Sequence, residues 1–299
     1  MTQAHSHASH GAQHDHHRHD HHTQDDRHRQ DDADQAEILD LDAEVLAEHI
    51  ASITAWLPLK TGPRHIVDLG CGTGTGTFAL LDRFPEAHVI AVDASPEHLQ
   101  RLRKKACARD MDDRVRTVQA DLDAADWPDL GTPDLVWASA SMHHMADPRH
   151  ALRNVHDMLP SGGLFAVVEL AGFPRFLPED APEERPGLED RCHAATDRFH
   201  AEHMPHRGAD WGPMLTAAGF TLDGERTVTV NIDGTHSEAV GRYALSTLRR
   251  VRGAIADTLS AEDLAALDRL LDTSGPDSIL RRDDLSVRTE RTVWAARRT

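Results

Sequence analysis

The chain predicts an α/β fold in which parallel strands alternate with helices, and three observations carry that prediction. A glycine-rich turn, V-D-L-G-C-G-T-G from Val67 to Gly74, is fed by the apolar run Arg64 to Val67 and followed by a helix-like segment from Thr77 to Phe84. Further strand-like runs follow at the spacing of strand-helix units: His88 to Val92, Arg114 to Ala120 and Asp134 to Ala138. These runs close on Asp93, Asp121 and Ser139, so polar groups gather at one edge of the predicted sheet. That edge is where open parallel sheets hold ligands.

The turn itself is a backbone device. Gly70, Gly72 and Gly74 stand at alternate positions, letting the chain reverse sharply and approach a ligand where a Cβ would collide. A dinucleotide fingerprint requires a further glycine three residues after the second. Thr75 or Thr77 occupies that position in either register, so the dehydrogenase pattern fails. Asp93, at the end of the second run, is placed to accept from both hydroxyls of a ribose.

With these residues in place the chain resembles the class I S-adenosylmethionine-dependent methyltransferases of the small-molecule, ubiquinone and menaquinone type. The likeness rests on the order and spacing of V-D-L-G-C-G-T-G, V-I-A-V-D-A-S-P, S-A-S-M-H-H-M-A-D-P from Ser139, and A-L-R-N-V-H-D-M-L-P-S-G-G-L-F-A-V-V-E from Ala151 to Glu169. It covers Leu39 to Leu170 well and the remainder loosely. It implies a Rossmann-like seven-stranded mixed sheet with helices on both faces, to which this chain is expected to add helical lid insertions and a disordered N-terminal tail. It also implies S-adenosylmethionine as cofactor. Asp68, Gly70, Gly72 and Gly74 would flank its methionine moiety, Asp93 and Ala94 its ribose, and Asp121 and Leu122 its adenine, with Ser139 closing the site.

Plainer roles exist for the same residues. Asp68 is able to cap the turn, and Asp93 to serve as N-cap of a helix beginning near Pro96. Capping alone does not place three acids at successive strand ends in register with one glycine turn. Cys71, inside the turn, reads as a packing residue rather than a nucleophile.

Composition narrows the function further. The 299 residues suit one α/β domain of about 200 to 250 residues with additions. Cys71, Cys107 and Cys192 form neither a disulfide framework nor a Cys-x-x-Cys knuckle, which points to a reducing cytoplasm. The start M-T-Q-A-H-S lacks a signal peptide's basic and apolar regions, and no apolar run approaches the ~18 residues of a membrane span. A net charge of -18, with Lys60, Lys104 and Lys105 the only lysines, argues against a nucleic-acid backbone as partner. The segment after the fourth run also lacks the Asn/Asp-Pro-Pro-aromatic arrangement that holds a flipped base. A small-molecule acceptor is expected, with no nucleic acid and no membrane.

Residues 1–34 hold ten of the 23 histidines, irregularly interleaved with aspartates and nearly devoid of apolar side chains. Such a segment is expected to be disordered. His14, His16, His17, His19, His21 and His22 are candidate ligands for Zn or Ni, held loosely in many arrangements. A solubilising tail that meets metal only on a nickel column is the competing reading.

Residues 35–60 form a predicted cover helix, with apolar residues at three- and four-residue steps from Glu37 to Leu57, folded either over the cofactor or simply onto the sheet. The cofactor-binding half is assigned to 61–170. The Pro- and Glu-rich stretch after Leu170 reads as a mobile loop, and 171–208 as a lid that includes a helix from Cys192 to Met204 with His193, His200 and His203 on its surface. In 209–299 a helix is expected over Ala209 to Phe220, strands over Glu225 to Ile232 and Val287 to Arg297, and helix over Ser237 to Leu271.

Methyl transfer from a sulfonium needs alignment and, for some acceptors, a base. His143, His144 and Glu169 are the catalytic candidates, with one histidine of the pair facing the site and the other packing. Two functions follow: a small-molecule methyltransferase, or a metal-handling protein that uses the tail and keeps the domain as a binding module. The intact set of Gly70, Gly72, Gly74, Asp93 and Asp121 favours the first.

Overall fold

Near-continuous burial along three strands sets the architecture. Strands β1 (His65–Leu69), β4 (Leu135–Ser139) and β5 (Leu164–Leu170) bury all but one end residue each, as strands covered on both faces must. The computed structural model describes residues 33–299. Residues 1–32 of the tail, with the six candidate metal ligands His14 to His22, lie outside the described residues, and 33–34 open the first helix.

The seven strands run in the order β3-β2-β1-β4-β5-β7-β6. Strands β2 (His88–Asp93) and β3 (Val115–Gln119) continue the parallel sheet on one side, while β7 (Ser286–Arg298) runs antiparallel between β5 and β6 (Phe220–Asp233). The seven-stranded mixed sheet expected from the sequence is borne out. Because the chain leaves β1 for β2 on one side and later enters β4 on the other, the order reverses between β1 and β4, opening a crevice at their carboxyl ends.

Alternation along the strands sorts the core into two layers. Ile66, Ala91, Trp137, Ala166 and Val168 pack with α2 (Ala47–Trp56), α3 (Thr75–Arg83), α4 (Pro96–Ala108), α6 (Leu188–His203), α8 (Glu238–Ile255) and α9 (Ala261–Leu271). Val67, Val136, Ala138, Phe165 and Val167 pack instead with α5 (Pro148–Met158) and α7 (Trp211–Ala217). Each fully buried Leu or Phe contributes about 1.5–3 kcal/mol of apolar transfer.

Several boundaries differ from expectation. The single helix foreseen over 37–57 is two: α1 (33–45) and α2, with a turn at Leu46. The ladder bonds Leu46 N–Asp42 O (2.9 Å) and Ile50 N–Leu46 O (3.0 Å) persist, so the junction bends rather than breaks, and Leu46 is buried in it. The foreseen helix 237–271 is also two. Ser260 caps α9 by accepting from the Asp263 N–H at 3.1 Å.

The stretch after β5 is pinned, not a free loop. The buried Glu189 carboxylate of α6 accepts from the N–H groups of Phe176 (2.8 Å) and Leu177 (3.0 Å), and Arg175 and Arg288 exchange backbone hydrogen bonds of 2.9 and 3.0 Å. His193 and His200 of α6 are buried, and only His203 is exposed as expected. Proline content suggested mobility, but Phe176, Leu177 and Ala181 enter the core and hold the segment down.

Candidate active site

The carboxyl ends of β1 and β4 meet through a side-chain bridge. Ser141 Oγ donates to Leu69 O at 2.8 Å, and the chain reaches Ser141 through Ala140 at φ 51°. A Cβ on Gly70, itself at φ 66°, would stand 2.4 Å from Ser141 Cβ. Glycine is thus demanded both by the turn and by this neighbour.

Over the turn lies a cavity of about 450 Å³. Asp68, Gly70, Gly72, Asp93, Ala94, Asp121, Leu122, Ser139 and His144 are in its wall. Gly74 is set back, as the left-handed N-cap of α3. Residues that the sequence did not single out also line the cavity: Gln35, Leu39 and Asp42 from α1, Thr73, His98, Asp123, Met145, Arg250 from α8 and Arg291 from β7.

Asp93 is the most heavily bonded acid in the wall. Its Oδ2 accepts from the Gly72 N–H at 2.8 Å, and its Oδ1 from the Ser95 N–H at 2.8 Å, with His98 Nδ1 at 3.3 Å. Burial alone would raise its pKa, but the His98 hydrogen bond and the two N–H groups outweigh burial and hold it below the usual carboxylate range. The helix cap is the next polar residue, Ser95, which accepts from the His98 N–H, so the capping role considered for Asp93 falls elsewhere.

Asp68 is the opposite case. It is buried, and that desolvation lifts its carboxyl to about 7 despite a 2.6 Å hydrogen bond from Thr77 Oγ1, with nearby Asp93 adding to the rise. Asp121 lies at the exposed rim and accepts from the Asp123 N–H at 2.9 Å, while Asp123 accepts from the Ala146 N–H at 2.8 Å and so ties the loop after β4 to the loop after β3. Burial pushes the Cys71 thiol well above its ordinary range, as befits a packing residue.

The paired histidines part company. His143 is buried, with Nδ1 2.5 Å from Glu169 Oε2, and Glu169 Oε1 accepts from the Met142 N–H at 2.9 Å. Neither His143 nor Glu169 lines the cavity. His144, whose ring is 4.2 Å from that of His143, does. Burial, reinforced by His143, Arg207, Arg250 and His200, lowers His144 to about 4, so it is neutral near pH 7.

Helix α1 is fastened over the cavity by charge. Asp42 Oδ1 accepts from Tyr243 OH and Arg291 Nη2, both at 2.6 Å, and Asp40 pairs with Lys105 at 2.5 Å. Leu39 reaches the turn directly: a Cβ on Gly72 would come within 3.0 Å of its Cδ1. The pairing of Asp42 with Arg291 spans 249 residues, which no local signal announces.

The wall also fits the ligand that its acids imply. Gln35 Oε1, Thr73 Oγ1, His98 Nε2 and Trp137 Nε1 are buried, have no hydrogen-bond partner and all belong to lining residues. Buried polar atoms cost about 1–3 kcal/mol each when unpaired, so a polar ligand is the natural complement. The cavity volume lies in the usual range for a small-molecule site, roughly 300–1,000 Å³. Among the described residues no group of three or more His, Cys, Asp or Glu stands together as a metal site, and no helix is long and apolar enough to cross a membrane.

Comparison with known proteins agrees with this geometry. The family described as "Methyltransferase domain" matches residues 67–165. A trans-aconitate 2-methyltransferase of Acidovorax sp. is 41% identical over 105 residues, which are 35% of this chain and 38% of that protein. The chain thus spans about two fifths of that relative. The trans-aconitate 2-methyltransferase of Mycolicibacterium gilvum is 31% identical over 221 residues, 72% of this chain and 80% of that one. Among solved structures, a Bacillus halodurans protein described as a methyltransferase has a TM-score of 0.53 at 16% identity, covering 83% of this chain and 98% of that one, which shows the common fold. From the glycine turn through the strand-end acids, and by a relative covered over four fifths of its length, the chain belongs to the class I S-adenosylmethionine-dependent methyltransferases.

Proposed function

We propose that the protein transfers a methyl group from S-adenosylmethionine to a small-molecule acceptor held beside His144. The single observation that carries this reading is the cavity at the switch point, whose lining brings together the strand-end acids, the glycine turn and four residues with unpartnered buried polar atoms. When bound, the cofactor supplies a sulfonium methyl whose carbon–sulfur bond breaks as an acceptor lone pair forms the new bond, sulfur keeping the electron pair.

The residues divide the work. Asp93 and His98 hold the ribose edge, Leu122 and Asp121 border the adenine, and Asp68 with the backbone of Gly70 and Gly72 receives the amino-acid end. Helix α1 excludes water from above, through Leu39 and the Asp42 clasp. Glu169 and His143 act from behind, fixing the loop that carries His144 through the Met142 N–H bond. His144, neutral near pH 7, is the group placed to take a proton if the acceptor has one to lose. Residues 1–34 serve, on composition alone, as an accessory that binds Zn or Ni loosely at His14, His16, His17, His19, His21 and His22.

Incubation with methyl-labelled S-adenosylmethionine and a small-molecule extract tests the reading. Label in a low-mass product, lost on addition of S-adenosylhomocysteine, is the expected result. No transfer and no S-adenosylhomocysteine binding would overturn it.

A further inference from the structure

An ion pair forms the cavity wall on the β5 side. Arg291 of β7 stands in register with Leu170 at the carboxyl end of β5, whereas the glycine turn and the acids Asp93 and Asp121 follow β1, β2 and β3. Gln35, Leu39 and Asp42 recur at three- and four-residue steps on α1, and all three line the cavity, so one face of that helix runs along it. Leu39 lies over Gly72, and Asp42 reaches Arg291.

Asp42 is held at one oxygen. Its Oδ1 accepts from Tyr243 OH and from Arg291 Nη2, both at 2.6 Å, and among the described residues these are the carboxylate's only hydrogen bonds. Oδ2 is left for a ligand. Burial and the neighbouring Asp42 carboxylate push Tyr243 well above its ordinary range, so its hydroxyl stays a donor to Oδ1. Arg291 is 5% exposed, and its Nε is a fifth buried polar atom of the lining residues with no hydrogen-bond partner. The pair, neutral as a whole, offers one free acceptor atom and one free donor atom. A carboxylate here would meet Asp42 Oδ2 with like charge, and an ammonium has no lone pair for Arg291 Nε. A hydroxyl donates to the first and accepts from the second.

We infer that the acceptor carries a hydroxyl group held by Asp42 Oδ2 and Arg291 Nε, on the β5 side of the cavity. This rests on the methyltransferase reading and adds to it the acceptor's anchoring group and the residues that select it. Asp42 and Arg291 bind the hydroxyl, and Tyr243 is a positioning residue that fixes the carboxylate. The proton of the reacting group, where there is one, still passes to His144.

Ligand-observed NMR on the full chain saturated with S-adenosylhomocysteine tests it, with phenol, catechol and cyclohexanol as probes and their methyl ethers as counterparts. Benzoate and benzylamine are the charged controls. At least one hydroxyl probe should bind, with its ether about tenfold weaker or more, because the ether leaves the wall's polar atoms unpaired. Asp42→Asn should bring that ratio to within about twofold, since its amide turns an N–H toward the hydroxyl, and S-adenosylhomocysteine affinity should stay within about twofold. Tyr243→Phe should lower the ratio part of the way. A loss of stability alone would weaken hydroxyl and ether alike. If Asp42→Asn does not fold, Arg291→Lys, which keeps the charge but not the Nε donor, must lower the same ratio. The inference is overturned if no hydroxyl probe binds, if ethers bind as well, if the ratio survives in a folded Asp42→Asn protein, or if benzoate or benzylamine is the probe that depends on Asp42. It is also overturned if Asp42→Asn loses S-adenosylhomocysteine and keeps the hydroxyl probe, which would assign the carboxylate to the cofactor's ammonium. Wild-type protein that binds no S-adenosylhomocysteine would instead defeat the reading beneath it.

Discussion

The part of the cavity proposed for the cofactor and the side proposed for the acceptor are built by different means. From β1 to β4 the acids of the wall stand at or near strand ends, and partners lie close in sequence: Asp93 with Ser95 and His98, Asp68 with Thr77. On the side proposed for the acceptor the wall is assembled from α1, α8 and β7, and its contacts join residues 201 and 249 positions apart. The first region is specified locally and the second by packing. The two should fail in different ways.

The largest effect should come from Gly70→Ala. The new Cβ meets Ser141 within 2.4 Å at a φ of 66°, so strain and displacement together should cost about 2–4 kcal/mol and abolish S-adenosylhomocysteine binding. Gly162→Ala, at φ 83° with open space around it, should cost about 1 kcal/mol and leave binding intact. Chemical denaturation and calorimetry on both variants measure the contrast. Equal losses would show that the turn has no special tie to β4.

Breaking the brace behind His144 comes next. Glu169→Gln leaves His143 buried without its carboxylate, and the expected loss is about 2–4 kcal/mol of stability. Cofactor affinity should change little, since neither residue lines the cavity.

These two variants also show how much was legible in the sequence. Gly70 and Glu169 were found because a glycine triplet and a strand-end acid are local signals. Arg250, Arg291 and Asp42 were not, because a single arginine or aspartate reads the same in a sequence whether it faces solvent or a cavity. Leu46 hid the bend between α1 and α2 because the apolar spacing runs through it unbroken. The start of α9 was visible in principle: S-A-E-D at Ser260 to Asp263 is ordinary N-cap chemistry inside a long helical pattern.

Acid should separate the regions. Burial lowers His144, His193 and His200 to about 4, against about 6.5 in the unfolded chain. A depressed histidine favours the folded state above the unfolded pKa, and that advantage is lost as pH falls from about 6.5 through 4. Hydrogen exchange at pH 5 against pH 7 should therefore show faster opening of α6 than of β1 and β4. Uniform opening would contradict the division.

Asp68 carries the opposite sign. Its raised folded pKa means that its contribution to stability is full below about 4 and lost as pH rises through about 7. Asp68→Asn should stabilise the ligand-free protein at pH 8. In the wild type, S-adenosylhomocysteine, which carries an ammonium group, should bind several-fold more tightly at pH 8 than at pH 6, and the variant should lose that dependence.

The smallest effect is expected from deleting residues 1–34. Melting temperature and S-adenosylhomocysteine affinity should barely move, while Zn or Ni binding should largely disappear. A tight stoichiometric metal retained by the shortened chain would place a site inside the folded domain.

Asp93 is the residue on which cofactor placement depends most directly. Calorimetric titration of S-adenosylhomocysteine should give one site per chain in the wild type. Asp93→Ala removes the carboxylate that accepts from the Gly72 N–H and is proposed to hold the ribose, and should weaken binding by roughly 30- to 150-fold, equivalent to about 2–3 kcal/mol. Unchanged affinity in a folded Asp93→Ala protein would contradict the placement of the cofactor in this cavity.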